Sequence, residues 1–154
     1  MKSDIYVIGE IGQNHNGSES VAIEMINRFK ANPYDETFNK KLRGIDAIKF
    51  TKRDLTEELT NSAMNKPYDN PNSFGKTYGE HRAYLEFDDE THYRLYKYVK
   101  EIGLDYVITL TSLKCASIFK LFKPDKLKVA SRDLTNLPLL KMLAETQIPI
   151  IIST

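Results

Sequence analysis

Cysteine is all but missing from this chain. Cys115 stands alone, so no internal disulfide can form. Set among Ala116, Ile118 and Phe119 on a predicted helix, it reads as a small buried hydrophobe and not as a nucleophile. Long apolar runs are missing as well. None approaches the roughly 20 residues of a membrane span, and Met1-Lys2-Ser3-Asp4 leads straight into a strand instead of a signal-peptide core. Without an export signal, the glycosylation triplet Asn16-Gly17-Ser18 is incidental, and the expected location is the cytoplasm. Charge of one sign is not in excess: 22 basic and 21 acidic side chains leave a net +1. That balance argues against a nucleic-acid clamp, and it gives no case for a membrane surface. Gly75-Lys76-Thr77 resembles the tail of a phosphate-binding P-loop, but the upstream glycine and the preceding strand are absent, which excludes that motif.

The 154 residues, 41% of them hydrophobic, suffice for one ordinary core. Ile5-Tyr6-Val7-Ile8 predicts a first strand. It opens into a polar loop, Glu10-Ile11-Gly12-Gln13-Asn14-His15-Asn16-Gly17, with more hydrogen-bonding capacity than a plain connection needs. Ser18 is the expected N-cap of a helix carrying Val21, Met25, Ile26 and Phe29, which Asn32-Pro33 ends. Tyr34 to Arg43 reads as a loop or a frayed helical extension. Asp46 to Thr51 predicts a second strand, interrupted by Lys49. A lysine there either snorkels to an edge or points into a site and meets an anion.

Lys52 to Asp88 reads as one long irregular stretch, ordered by its aromatics, with turns at Pro67 and Pro71. Its Gly75 to Arg82 turn offers Tyr78, His81 and Arg82 as candidate substrate-binding groups. Asp88 or Asp89 then caps a helix with Leu95, Val99 and Ile102 on one face, closed by Gly103. Tyr106–Thr111, Lys126–Ser131 and Pro149–Thr154 predict three more strands. Between them lie a short helix over Leu113–Phe122 and another opened by Asn136 with Pro138 in its first turn.

Alternation of strand and helix implies a parallel sheet with right-handed crossovers. An open doubly wound sheet is one solution. The other is a parallel β/α (TIM-type) barrel that is incomplete, with about five of eight βα units, in a single partial domain over residues 1–154. An apolar final strand with no covering helix favours the barrel. In such a fold the strand C-termini ring one mouth. They would bring together Glu10 with Gln13, Asn14 and His15, then Lys49, Thr109 and Thr111, Lys128 and Ser131 with Arg132 and Asp133, and finally Ser153-Thr154. Two lysines among hydroxyls make a natural phosphate or carboxylate site. Glu10 is the carboxylate best placed for acid–base work. His15 is a metal ligand or proton carrier in principle, though a lone histidine more often pins its own loop.

Glu10 to Gly17, Ala47-Ile48-Lys49-Phe50, Lys76 to Arg82, Ala130 to Asn136 and Pro149 to Thr154 resemble, in order, the N-acetylneuraminate (sialic acid) synthase family. That resemblance implies a β/α barrel condensing phosphoenolpyruvate with an N-acyl hexose such as N-acetylmannosamine to a nonulosonic acid, with release of phosphate. It also implies a divalent metal, Mn²⁺ or Mg²⁺, that polarises the sugar aldehyde. By motif match, Lys49, Thr109, Lys128, Ser131 and Ser153 would hold phosphoenolpyruvate. Glu10 and Asp133 would be the catalytic carboxylates, Asp133 standing where the family often has a glutamate.

The chain also departs from that family. Thr51 replaces the common glutamine, and Tyr34 to Leu42 looks like an insertion. The family's metal-binding histidines lie on strands beyond the fifth, and no antifreeze-like C-terminal domain follows. The expectation is therefore a fragment or one part of a split enzyme, completed by a homo-oligomer or a complementing chain. The alternative is a non-catalytic partial barrel that binds an anionic ligand or partner.

Overall fold

The structure is a computed structural model that describes residues 5–31, 34–41 and 44–154. In chain order it contains β1 (Ile8–Gly12), α1 (Glu19–Lys30), β2 (Tyr34–Asp35), β3 (Lys40–Lys41), β4 (Ala47–Lys52), α2 (Leu55–Glu58) and α3 (Asn61–Met64). There follow α4 (Tyr78–Tyr84), α5 (Asp89–Glu101), β5 (Asp105–Leu110), β6 (Lys126–Val129), α6 (Leu137–Glu145) and β7 (Ile150–Ile152). Short 3₁₀ turns span Lys114–Lys120 and Ser131–Asp133.

The main sheet is five-stranded in the order β1-β4-β5-β6-β7, and every pairing is parallel. Each strand is thus laid beside its predecessor in one direction. A doubly wound sheet instead reverses at a switch point. The observed order is the one that β/α barrels use. Among the described residues the sheet remains open.

Strand alternation gives the sheet two different faces. Ile48, Phe50, Tyr106, Ile108, Leu110, Leu127 and Val129 are buried against α1, α5 and α6, which contribute Ile26, Leu95, Val99, Leu139 and Leu143. The opposite face carries Glu10, Lys49 and Val107 in one register row. Thr51, Thr109, Lys128 and Ile151 form the next row. One face holds the core, and the other holds the chemistry.

Several expectations change here. The first strand is Ile8–Gly12, not Ile5–Ile8. The Val7 carbonyl accepts from both Asp46 and Ala47, while the Val7 N–H donates to the Asp46 carboxylate at 2.7 Å, so irregular bonds precede the ladder. Ser18 caps α1 as expected, but the inward stripe is Ala22 and Ile26 with Met25 and Phe29 beside it, and Val21 is exposed. The Asn32-Pro33 stop lies outside the described residues. Instead of a loop or helical extension, Tyr34–Asp35 and Lys40–Lys41 pair as an antiparallel hairpin, with Asp35 accepting from Thr37 and Phe38 in the turn.

Lys52 to Asp88 holds three short helices. Asp54 caps the first, Thr60 the second, and Thr77 with Glu80 forms a reciprocal capping box on the third. The 113–122 helix is a 3₁₀ turn, and β6 stops before Ser131. Cys115 is buried, as expected, beside Ser112 and the Lys52 carbonyl.

Candidate functional site

Glu10 sits inside β1 rather than beyond its end, directly opposite Lys49 on β4, and the two close an ion pair. The lysine side chain is 9% exposed and the carboxylate 50% exposed, so a buried cation meets a partner that solvent can reach. One register row further on, Lys128 is brought beside Thr109. Burial holds the Lys128 ammonium below the usual lysine range, nearby Lys49 lowers it further, and Glu10 partly opposes them.

These residues open into a cavity of about 300 Å³ at the C-terminal ends of the strands. Lys49, Thr51 and Arg53 line it from β4 and just beyond, Thr109 and Thr111 from β5, and Lys128, Ser131 and Arg132 from β6 and its following turn. The Thr109 hydroxyl is buried and has no hydrogen-bond partner among the described residues. A buried hydroxyl left unpaired beside lysines is a donor in want of an acceptor. The lining can therefore bind an oxyanion by charge and by hydroxyl donation.

A carboxylate–guanidinium network surrounds the mouth. Glu86 accepts from the Gln13 amide and from the Arg53 backbone N–H at 3.1 Å, tying the loop after β1 to the end of β4. Arg132 donates to Glu58 at 2.9 Å. Arg53 lies between the two carboxylates, 3.8 Å from Glu58 and 3.7 Å from Glu86. Burial pushes the Glu86 carboxyl up to about 7, against the pull of Arg53 and Arg82. Burial also pushes Glu58 up, but Arg132, Arg53 and Arg82 outweigh it and hold that carboxyl below its ordinary range.

Of the residues expected from sequence, Glu10, Lys49, Thr109, Lys128 and Ser131 are brought together. Asp133 is buried just outside the cavity lining, with a carboxylate oxygen 3.6 Å from Arg132. Ser153 follows β7, where its N–H donates to the Val129 carbonyl, and it too lies outside the lining. Tyr78 and His81 join Tyr68 in an aromatic cluster that orders the 66–84 segment, and His81 Nδ1 accepts from the Phe74 N–H. Arg82 lies over the Tyr78 ring and bears electrostatically on Glu86 and Glu58.

His15 pins its loop. It is buried, stacks on Phe87 at 3.9 Å and accepts from the Gly17 N–H, and burial drives it down to about 4. Gly17 has φ +73°, and a Cβ there would fall 2.3 Å from the Tyr84 carbonyl, so only glycine closes this turn.

Sequence reading missed Arg53, Glu58 and Glu86 at the mouth. Arg53 carried a signal, since it continues the Lys49, Thr51 alternation by two residues. The two glutamates carried none, because one arrives from the end of α2 and the other from the loop after α4. Lys52 was missed too. It points to the core side, where it pairs with Asp89 at 2.6 Å close to buried His92.

Comparison with known proteins decides the affiliation, because the NeuB family model matches residues 39–154. The chain belongs to the NeuB family. Among its relatives, the N-acetylneuraminate-9-phosphate synthase of Drosophila melanogaster is 34% identical over 150 residues, covering 97% of this chain and 37% of the relative. The synthase of that name from Mus musculus is 33% identical over 153 residues, covering 99% of this chain and 40% of the relative. N,N'-diacetyllegionaminic acid synthase of Legionella pneumophila is 28% identical over 151 residues, 97% of this chain and 39% of that one. This NeuB family chain thus spans less than half the length of these relatives.

Solved structures share the fold. The N-acetylneuraminic acid synthetase of Leptospira borgpetersenii, crystallised with citrate, matches with TM-score 0.68 at 22% identity over 97% of this chain and 44% of its own. A putative spore coat polysaccharide biosynthesis protein E of Chromobacterium violaceum matches with TM-score 0.71 at 19% identity, covering 96% of this chain and 40% of its own.

Proposed function

We propose that this chain supplies the phosphoenolpyruvate-binding part of a sialic acid synthase-type enzyme, a transferase of carbohydrate biosynthesis acting in the cytoplasm. The reaction joins phosphoenolpyruvate to an N-acyl hexose resembling N-acetylmannosamine and yields a nonulosonic acid and phosphate. The observation that carries this reading is the approach of Lys49 and Lys128 to the unpaired Thr109 hydroxyl around one cavity. Membership of a family whose relatives are named for such synthases supports it.

Lys49 and Lys128 neutralise the phosphate and carboxylate of phosphoenolpyruvate, while Thr109 and Ser131 donate hydroxyl hydrogen bonds to their oxygens. An arriving oxyanion displaces Glu10 from Lys49. The released carboxylate then faces the reacting carbons, where it can accept a proton. The enol carbon forms the new C–C bond to the sugar aldehyde, and the aldehyde oxygen takes a proton. Water adds at the resulting cationic carbon and gives up one proton, which balances the proton taken by the aldehyde oxygen. Its second proton goes to the phosphate, which leaves with its bridging oxygen so that this carbon becomes the ketone.

The divalent metal expected from the resemblance finds no fit in these residues. Among the described residues no three His, Cys, Asp or Glu side chains converge as ligands, and His15 and His92 are held in packed surroundings. In the complete assembly we place this chain in a β/α barrel whose remaining strands come from further chain or from a partner.

The test supplies phosphoenolpyruvate, N-acetylmannosamine and Mn²⁺ to the chain, alone and mixed with the remaining part of a relative. Phosphate release in the mixture supports the proposal. Phosphoenolpyruvate binding without release in either arm favours a non-catalytic anion-binding partial barrel.

A further inference from the structure

Beyond Lys49 and Lys128, two more cations line the cavity, and of these Arg132 is already hydrogen-bonded to Glu58. Arg53 follows β4 by one residue and lines the same cavity. Its side chain is only 19% exposed. Its distances to Glu58 and Glu86, 3.8 and 3.7 Å, neutralise it without hydrogen-bonding it. Both glutamates are already occupied, Glu58 by Arg132 and the Thr111 hydroxyl, Glu86 by Gln13 and a backbone N–H. The Arg53 Nε is buried with no hydrogen-bond partner among the described residues. A guanidinium has five N–H donors in a fixed fork and does not lose its charge in proteins. Here that fork is mostly buried, and its Nε–H has no acceptor among the described residues.

Depth along the strands gives the fork a distinct task. Lys49 stands in the row of Glu10, and Lys128 in the next row with Thr51 and Thr109. Arg53 lies two residues past Thr51, roughly 7 Å further toward the mouth at strand spacing. A single small oxyanion held deep by the lysines leaves this outer cation unused, whereas a ligand with two anionic groups engages both ends.

We propose that Arg53 is a ligand-binding residue that receives the outer oxyanion, carboxylate or phosphoryl, of a ligand carrying two anionic groups. This rests on the reading of the cavity as a phosphoenolpyruvate site.

Calorimetry on the full chain tests it with phosphoenolpyruvate, inorganic phosphate and pyruvate, comparing wild type with R53K and with R53Q/E86Q. The double variant removes the arginine without stranding a buried carboxylate, and R53K keeps the charge but loses the fork. Circular dichroism melting establishes that each is folded. Phosphoenolpyruvate affinity is expected to fall at least tenfold in R53Q/E86Q and several-fold in R53K. Inorganic phosphate and pyruvate, each with one anionic group, are expected to keep their affinity within twofold in both variants, and a loss equal to that of phosphoenolpyruvate counts against a separate outer subsite. Phosphoenolpyruvate affinity within twofold of wild type in both variants overturns the proposal. If that happens while Lys128→Met abolishes binding, only the role of Arg53 fails. If wild type binds no phosphoenolpyruvate, the underlying reading fails as well.

Discussion

Glu10 and Lys49 face each other across the first pairing of the sheet, and their ion pair joins a half-exposed carboxylate to a buried ammonium. The carboxylate therefore occupies the ammonium that an incoming oxyanion would claim. Replacing Glu10 by Gln removes the competitor, and phosphoenolpyruvate is expected to bind several-fold more tightly in calorimetry. Replacing Lys49 by Met should weaken binding by about ten- to a hundredfold, the worth of a hydrogen bond to a charged group. In a reconstituted enzyme, Glu10→Gln should bind well and turn over poorly.

Thr109 offers a cleaner separation of stability from binding. Its hydroxyl is buried without a partner among the described residues, so it costs stability in the unliganded chain. Thr109→Val should leave the denaturant midpoint unchanged or raise stability by up to about 1 kcal/mol. The same variant should bind phosphoenolpyruvate more weakly. A stability loss would mean that the hydroxyl has a partner in the unliganded protein.

Acid and alkali should destabilise the chain through different residues. His15 is depressed to about 4 and His92 to about 3, both from 6.5 and both chiefly by burial. Above 6.5 both are neutral in either state. As pH falls below 6.5 the unfolded chain takes up protons first, and stability declines toward pH 4 and below. Glu86 behaves oppositely, with a folded value of about 7 against 4.5. Its contribution is fully present below 4.5 and is lost as pH rises through 7. Urea titrations at pH 5 and pH 8 should therefore show Glu86→Gln gaining on wild type by on the order of 2 kcal/mol between them.

Behind the sheet, Lys52 and Asp89 form a second ion pair at 2.6 Å, with side chains 11% and 28% exposed. Burial raises the Asp89 carboxyl, but Lys52 and Ser117 outweigh it and hold that carboxyl low. Asp89→Asn strands a buried lysine and should cost about 3 kcal/mol in urea unfolding. Lys52→Met combined with Asp89→Asn should recover most of that loss.

Lys49 was the most legible part of the site, because it breaks a strand that otherwise reads as core, and Lys128 was legible from its place on a predicted strand. The strands themselves were legible from their apolar residues. Composition misled at Ile5–Ile8, since the ladder position of β1 is set by pairing with β4 and by the Asp46 carboxylate. Four-residue helices such as Leu55–Glu58 and Asn61–Met64 are too short to show a period, so the stretch read as irregular. Glu58 and Glu86 were beyond reach because only tertiary structure brings them to Arg53. Val21 shows a subtler limit: a helix stripe centred on small Ala22 turns the larger neighbour outward.

The most direct measurement is calorimetric titration of phosphoenolpyruvate into the wild-type chain and into Lys128→Met. One-site binding to wild type is expected, and it is lost in the variant while the melting curve is retained. Binding of equal strength in both, or none to the folded wild type, would contradict an oxyanion site at the ends of these strands.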